Sequence, residues 1–196
     1  MDHMNIQHLQ QYIMTILPMS PDKAKFFAEQ FEYIELDKDA LLIQENKKCK
    51  YTFYLEEGYI RSLTYDSMGN EVTTNIFSSN CFVNDFLAFF KQAPANENYQ
   101  ALTNCKIWRM DFETVQNNFH SHLEFREFGR LMLVTNYAIL HERMLGMIKN
   151  TAEQRYSKLL EKHPAIFQNV PLKIIASYLG VTDTSLSRIR KEVAQK

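Results

Sequence analysis

The chain has 196 residues, enough for one large domain or two small ones. Its hydrophobic content of 45% and charged content of 23% are ordinary globular values, which exclude a disordered chain as the default. The net charge of −1 conceals an asymmetry: residues 149–196 hold nine Lys/Arg against four Asp/Glu, a net of +5, whereas residues 1–148 hold thirteen against nineteen, a net of −6. Such a division predicts that only the C-terminal part meets a polyanion.

No stretch approaches the roughly 18 consecutive apolar residues of a membrane span, so no membrane partner is expected. Met1-Asp2-His3-Met4-Asn5-Ile6 lacks a basic region followed by an apolar run, and is not read as a secretory signal. Cys49, Cys81 and Cys105 are widely spaced and odd in number, so they predict neither a disulfide framework nor a CxxC metal site. A cytoplasmic protein with reduced thiols follows.

Residues 5–17 and 21–31 read as helices. Ile6, Leu9, Ile13 and Ile16/Leu17 fall at helical spacing, Pro18 ends the first helix, and Ser20 and Pro21 suit the N-cap and first turn of the second. From about 33 to 111 the period shortens. Strands are predicted at Tyr33–Leu36, Ala40–Ile43, Tyr51–Leu55, Tyr59–Tyr65, Glu71–Phe77, Cys81–Val83, Tyr99–Leu102 and Lys106–Met110. Asp66-Ser67-Met68-Gly69-Asn70 reads as a hairpin loop, and Gly58 as a tight turn or bulge needing positive φ. Short strands with regular turns predict a closed or two-sheet antiparallel barrel.

Asp111-Phe112-Glu113-Thr114 can open a short helix, and a long helix follows over 121–149, about 40 Å at 1.5 Å per residue. Its broad apolar surface, Phe128, Leu131, Met132, Met144, Leu145 and Met147, predicts pairing with a second copy as in a short coiled coil. An amphipathic helix lying on the barrel is the other reading. Residues 150–163 form a further helix opened by the capping box Thr151-Ala152-Glu153-Gln154 and stopped by His163-Pro164.

The last segment is a short helix beginning at Pro171, a turn at Gly180 and a second helix capped by Thr182. Ile174, Ile175 and Tyr178 supply the inward face of the first, Leu186 and Ile189 that of the second. Two helices at this spacing can set one in a DNA major groove. Thr182, Asp183, Thr184, Ser185, Ser187, Arg188, Arg190 and Lys191 are then the candidate contacts. Small hydroxyl residues near a helix N-terminus approach phosphates or base edges closely. Arg188 can bond a guanine with both arms, while Arg190 and Lys191 suit phosphates.

Ile175-Ala176-Ser177-Tyr178-Leu179-Gly180-Val181-Thr182 and Leu186-Ser187-Arg188-Ile189-Arg190-Lys191 resemble the helix-turn-helix of the Crp/Fnr superfamily of bacterial transcription factors. Leu55-Glu56-Glu57-Gly58-Tyr59-Ile60 is similar to the family's strand-Gly-strand motif, Asn80-Cys81-Phe82 stands where it often has Gly-Asp-Phe, and Asn104-Cys105-Lys106-Ile107-Trp108 resembles the strand that closes its roll. The resemblance implies an α+β chain in three parts. A cyclic-nucleotide-binding-like β-roll (a double-stranded β-helix or jelly roll) with N-terminal helices spans 1–120, a dimerisation helix 121–149, and an all-α helix-turn-helix 150–196. It implies a homodimer on double-stranded DNA, with RNA polymerase and an unknown small-molecule effector as further partners, and no cofactor.

The departures are as informative. Family members that bind cyclic nucleotides use a Gly-Glu-Leu-Gly stretch and an Arg-Ser/Thr-Ala stretch, in which the glutamate holds the ribose and the arginine the cyclic phosphate. Here the first reads Asn84-Asp85-Phe86-Leu87 and the second falls near Ala95-Asn96-Glu97, with no basic residue between Lys91 and Lys106. A phosphate buried without a cation is costly, so cyclic AMP is not expected as a tight ligand. Asn84, Asp85, Phe86, Leu87 and Asn96 remain the ligand-pocket candidates, with Asp85 as the polar anchor. The family's best-known member reads bases with an Arg-Glu pair and a later Arg, whereas this chain has Asp183-Thr184 and keeps only Arg188, so its operator should differ. The sequence ends at Lys196, so the resemblance implies a reader without the usual full wing.

No enzyme is expected. The histidines are His3, His8, His120, His122, His141 and His163, none within 33–111, which argues against a cupin metal site on the strands. His120 and His122 are too few for zinc, the cysteine cluster of iron-sulfur oxygen sensors is missing, and no P-loop, GxGxxG or nucleophile elbow occurs. The competing reading is a small-molecule or cyclic-nucleotide sensor module whose helix-turn-helix is vestigial or contacts protein.

Overall fold

Ser20 begins the second of two short N-terminal helices by accepting a hydrogen bond from Lys23 N (3.4 Å), with Pro21 in the first turn. The computed structural model describes residues 6–195; the hexapeptide reading at the N-terminus and His3 therefore fall largely outside it, as does Lys196. The first helix, α1 (Gln7–Ile16), and the second, α2 (Pro21–Ala28), bury Leu9, Ile13, Ala24 and Phe27 against the strands that follow.

Eight strands follow among the described residues: β1 (Glu32–Leu36), β2 (Leu41–Ile43), β3 (Tyr51–Glu57), β4 (Tyr59–Tyr65), β5 (Glu71–Ser78), β6 (Cys81–Val83), β7 (Asn98–Ala101) and β8 (Cys105–Asp111). They form two antiparallel four-stranded sheets, ordered β1-β8-β3-β6 and β2-β7-β4-β5. The chain passes between sheets at Gly58, whose φ of +113° only glycine adopts easily. The β4–β5 hairpin turns on Asp66, whose carboxylate accepts from the backbone N–H groups of Met68 and Asn70. Between the sheets lies an aromatic-rich core of Phe53, Tyr54, Ile60, Phe82, Tyr99 and Ile107.

Helices surround this roll. A six-residue helix, α3 (Phe86–Lys91), is inserted between β6 and β7, where no helical period marks it in the sequence. Asp111 caps α4 (Phe112–Ser121) by accepting from Thr114 N. The long helix α5 spans Leu123–Lys149, its start displaced from residue 121 because Ser121 completes α4 and His122 is extended between them.

The chain then forms α6 (Ala152–Lys162), α7 (Ile166–Asn169), α8 (Leu172–Tyr178) and α9 (Asp183–Ala194). Thr151 and Gln154 complete the capping box of α6. These helices share a second apolar cluster, with Tyr156, Ile166, Ile175, Ala176, Leu186 and Ile189 buried in it. Tyr59, Ile76 and Leu102 of the roll enter the same cluster, so the outer face of the β4–β5–β7 sheet is covered by the helical unit.

Candidate nucleic-acid interface and sensor site

Pro171 stands one place earlier than expected. Its ψ of 136° is extended, which makes it the N-cap and Leu172 the first residue of α8. At the other end, Val181 N donates to Ala176 O and Gly180 N to Ser177 O, both at 3.0 Å, a reciprocal closure that needs the positive φ (+68°) of Gly180. Thr182 Oγ1 then accepts from Ser185 N at 3.2 Å and opens α9. Leu186 and Ile189 point inward, while Thr182, Asp183, Thr184, Ser187, Arg188, Arg190 and Lys191 are exposed and Ser185 is half-buried. At 3.6 residues per turn, Thr184, Ser187 and Lys191 occupy the middle of the exposed arc, and Arg188 and Arg190 stand on opposite flanks. Arg188 Nε lies 3.8 Å from Glu192 Oε1, an exposed pair.

The turn before α9 is held by two arginines from other helices. Arg143 of α5 donates from Nη2 to Tyr178 O (2.9 Å), with its guanidinium 4.1 Å from the centre of the Tyr178 ring. Arg155 of α6 donates from Nε to Leu179 O (3.0 Å) and from Nη1 to Asn150 O (2.7 Å). The two α8 carbonyls belong to a helix end, which has no partners within its own helix. Burial pulls the Arg143 guanidinium below its ordinary value, against the opposing pull of Tyr178 and Glu97. The roll adds a third tie, since Thr73 N donates to Ser177 Oγ at 2.8 Å. Arg143, Arg155 and Ser177 carry no local sequence signal, because each acts on backbone that is remote along the chain.

In the roll, the five candidate ligand residues are brought near one another but into different roles. Asp85 caps α3, Oδ1 accepting from Ala88 N (2.9 Å), while Oδ2 accepts from Asn96 N (3.2 Å). Its carboxylate thus ties α3 to the following loop. Asn84 is buried, with Oδ1 accepting from Phe53 N (3.1 Å) and its backbone carbonyl from the Tyr99 hydroxyl (3.2 Å). Its Nδ2 is buried with no acceptor among the described residues. Phe86 stacks on Phe90, Leu87 is exposed, and so is Asn96. Glu97, which the sequence reading places in the second stretch without counting it a pocket candidate, accepts through Oε2 from Thr74 Oγ1 (3.0 Å), which lies 2.7 Å from Ser62 Oγ. A carboxylate therefore stands in the stretch where the family's phosphate-binding arginine is expected.

The apolar surface of α5 differs from the expected one. Phe128 and Met132 are buried in the roll's core together with Phe125, so they are not free to meet a second chain. The exposed apolar stripe is Leu133, Val134, Tyr137, Leu140, Met144 and Ile148, edged by Met147, so the expected Met144 and Met147 do reach the surface, and Ile139 is exposed on another side. The period of α5 is split between these two faces, which its sequence alone does not apportion.

Among the described residues no helix is long and apolar enough to cross a membrane. None of their His, Cys, Asp and Glu side chains gather in threes to share a metal ion.

Residues 33–122 match the cyclic nucleotide-binding domain family. In structure the chain is similar to FixK2 from Bradyrhizobium japonicum (TM-score 0.72, 14% identity, covering 84% of this chain and 85% of that one). It is similar to the c-di-GMP-responsive global regulator CLP of Xanthomonas campestris (TM-score 0.68, 14% identity, 90% and 92% covered). It is also similar to a protein from Eubacterium rectale described as a transcriptional regulator of the crp/fnr family (TM-score 0.69, 12% identity, 91% and 87% covered). No curated protein matches the chain in sequence.

Proposed function

We propose that this chain, which carries a cyclic nucleotide-binding domain and has the fold of Crp/Fnr-type regulators, is a homodimeric, sequence-specific DNA-binding transcription regulator that does not respond to cyclic AMP. The observation that carries this reading is the closed turn between α8 and α9, which leaves Thr184, Ser187, Arg188, Arg190 and Lys191 outward on one helix. Residues 1–120 are the sensor, 121–149 the dimer helix and 150–196 the reader. Two recognition helices carried by paired α5 helices would address half-sites roughly 34 Å apart.

The exposed stripe on α5 supports the dimer, because six large apolar side chains in water on one helix face favour a second copy. Glu97 among the hydroxyls of Ser62 and Thr74 supports the absence of a cyclic-nucleotide response, since a carboxylate standing where the phosphate would lie repels it. The acids Asp183 and Glu192 beside the reader's cations favour the second reading, a sensor whose helix pair contacts protein.

Selection of bound sequences from a random duplex pool at moderate salt separates the two. Enrichment of a near-palindromic site is the expected result. Recovery of only random sequences, with purified protein that is folded and dimeric, would sink the DNA reading.

A further inference from the structure

A cavity of about 300 Å3 opens between the C-terminal half of α5, α6 and the end of α8, outside the roll. That volume is at the lower end of the range for small-ligand sites. Its walls are of two kinds. Leu145, Leu159 and Leu179 form an apolar floor, the exposed Ile139 stands at its mouth, and Lys149, Lys158 and Lys162 stand at its rim. Lys162 is paired with Glu142 at 2.8 Å, but Lys149 and Lys158 have no ion-pair partner among the described residues. Glu142 is the one carboxylate in the lining, and both Lys162 and Lys158 favour its ionised form, so the lining joins an apolar surface to an excess of positive charge.

The cavity centres on the side of α5 opposite the face proposed to meet a second copy, with Met147 at the edge between them. On a helix of 3.6 residues per turn, Ile139, Glu142 and Gly146 on the cavity side lie about half a turn from Tyr137, Met144 and Ile148 on the exposed stripe. A paired α5 would leave the cavity open. Arg143, Tyr178 and Leu179 also line it, so it adjoins the bonds that hold the turn before α9.

We infer that this cavity binds an amphipathic anion, a small aliphatic or aromatic body bearing one carboxylate. The body takes the floor at Leu145 and Leu159, and the carboxylate faces Lys158 and Lys149. An apolar floor alone would accept any greasy molecule; the excess of cations over the single carboxylate Glu142 selects the anion.

Methyl NMR on the full chain labelled at methionine tests this, with decanoate as the probe. Met147 lines the cavity, Met144 lies on the exposed stripe and Met132 in the roll's core. Decanoate should shift the Met147 methyl saturably and leave Met132 in place. Lys158→Glu should raise the half-saturating concentration about tenfold, and decylammonium should give no saturable shift. Gly146→Leu should abolish the response by filling the cavity. A Cβ there meets nothing closer than Asn150 Nδ2 at 3.4 Å, and leucine suits a helix interior better than glycine, so this variant should fold with an unchanged Met132 signal. An unmoved Met147, an equal response to decylammonium, or a response that persists in Gly146→Leu would each overturn the assignment. The last, with Met144 moving in step, would place decanoate on the open face of α5.

Discussion

Gly58 and Gly180 hold positive φ for different reasons, and their replacement should cost different amounts. At Gly180 an added Cβ comes 2.7 Å from the terminal methyl of Met147, a flexible group that can move, so Gly180→Ala should lose about 1–2 kcal/mol from backbone strain. At Gly58 the Cβ would lie 2.6 Å from Cys105 Sγ and 2.8 Å from the backbone oxygen of Asn104, neither free to retreat. Gly58→Ala should cost more than about 3 kcal/mol, and chemical denaturation of the two variants should preserve that order. On the reader, Arg188→Ala should weaken specific binding by about 1–3 kcal/mol and relax preference at one base position. Titration against matched and substituted duplexes measures this, and equal loss on every duplex would reduce Arg188 to a phosphate contact.

At the scale of elements, α5 serves three surfaces at once. Its first half fills the roll with Phe125, Phe128 and Met132, its outer stripe is open, and Arg143 in its second half grips α8. Leu140 is 65% exposed, so a charge there should leave the single chain folded. If α5 pairs as proposed, Leu140→Glu should convert dimer to monomer in sedimentation analysis without lowering helix content, because two like charges would face each other in the seam. A variant that remains dimeric would move the interface elsewhere. The strands were legible because each alternates or carries aromatic and β-branched residues between turns. The helices α3 and α7 were not, being six and four residues long, too short to develop a period.

The whole molecule joins two apolar clusters through Tyr59, Ile76 and Leu102 of the roll and the Thr73–Ser177 bond, so the roll and the C-terminal helices share an interface as well as a helix. Burial pushes the thiols of Cys81 and Cys49 up to about 12 and about 11 from an ordinary 9.0, and the Tyr12 hydroxyl to about 12 from 10.0. The folded state thus holds these protons more tightly than the unfolded state. No stability is lost below about pH 9, and it declines as pH rises through the interval between the unfolded and folded values. The denaturation midpoint should be flat from pH 7 to about 8.5 and fall by pH 10.5; a flat profile throughout would contradict the burial of these groups. Cyclic AMP at tens of micromolar should leave the melting temperature unchanged, because neither Asp85, already bonded to Ala88 and Asn96, nor Glu97 offers a cation to its phosphate.

Local chemistry in the chain determined the strands, the caps at Ser20, Asp111, Thr151 and Thr182, the turn at Gly180 and the inward faces of the last two helices. These depend on residues within a few positions of one another, so a linear reading reaches them. It also determined that the phosphate cassette lacks its arginine. Only the tertiary structure decided which side of α5 enters the core, that Asp85 caps α3, that Arg143 and Arg155 clamp the turn before α9, and that a basic-rimmed cavity lies beneath it. Each of these joins residues tens of positions apart, and the energy that selects among such contacts comes from burial and from pairing buried polar groups, which no local pattern records.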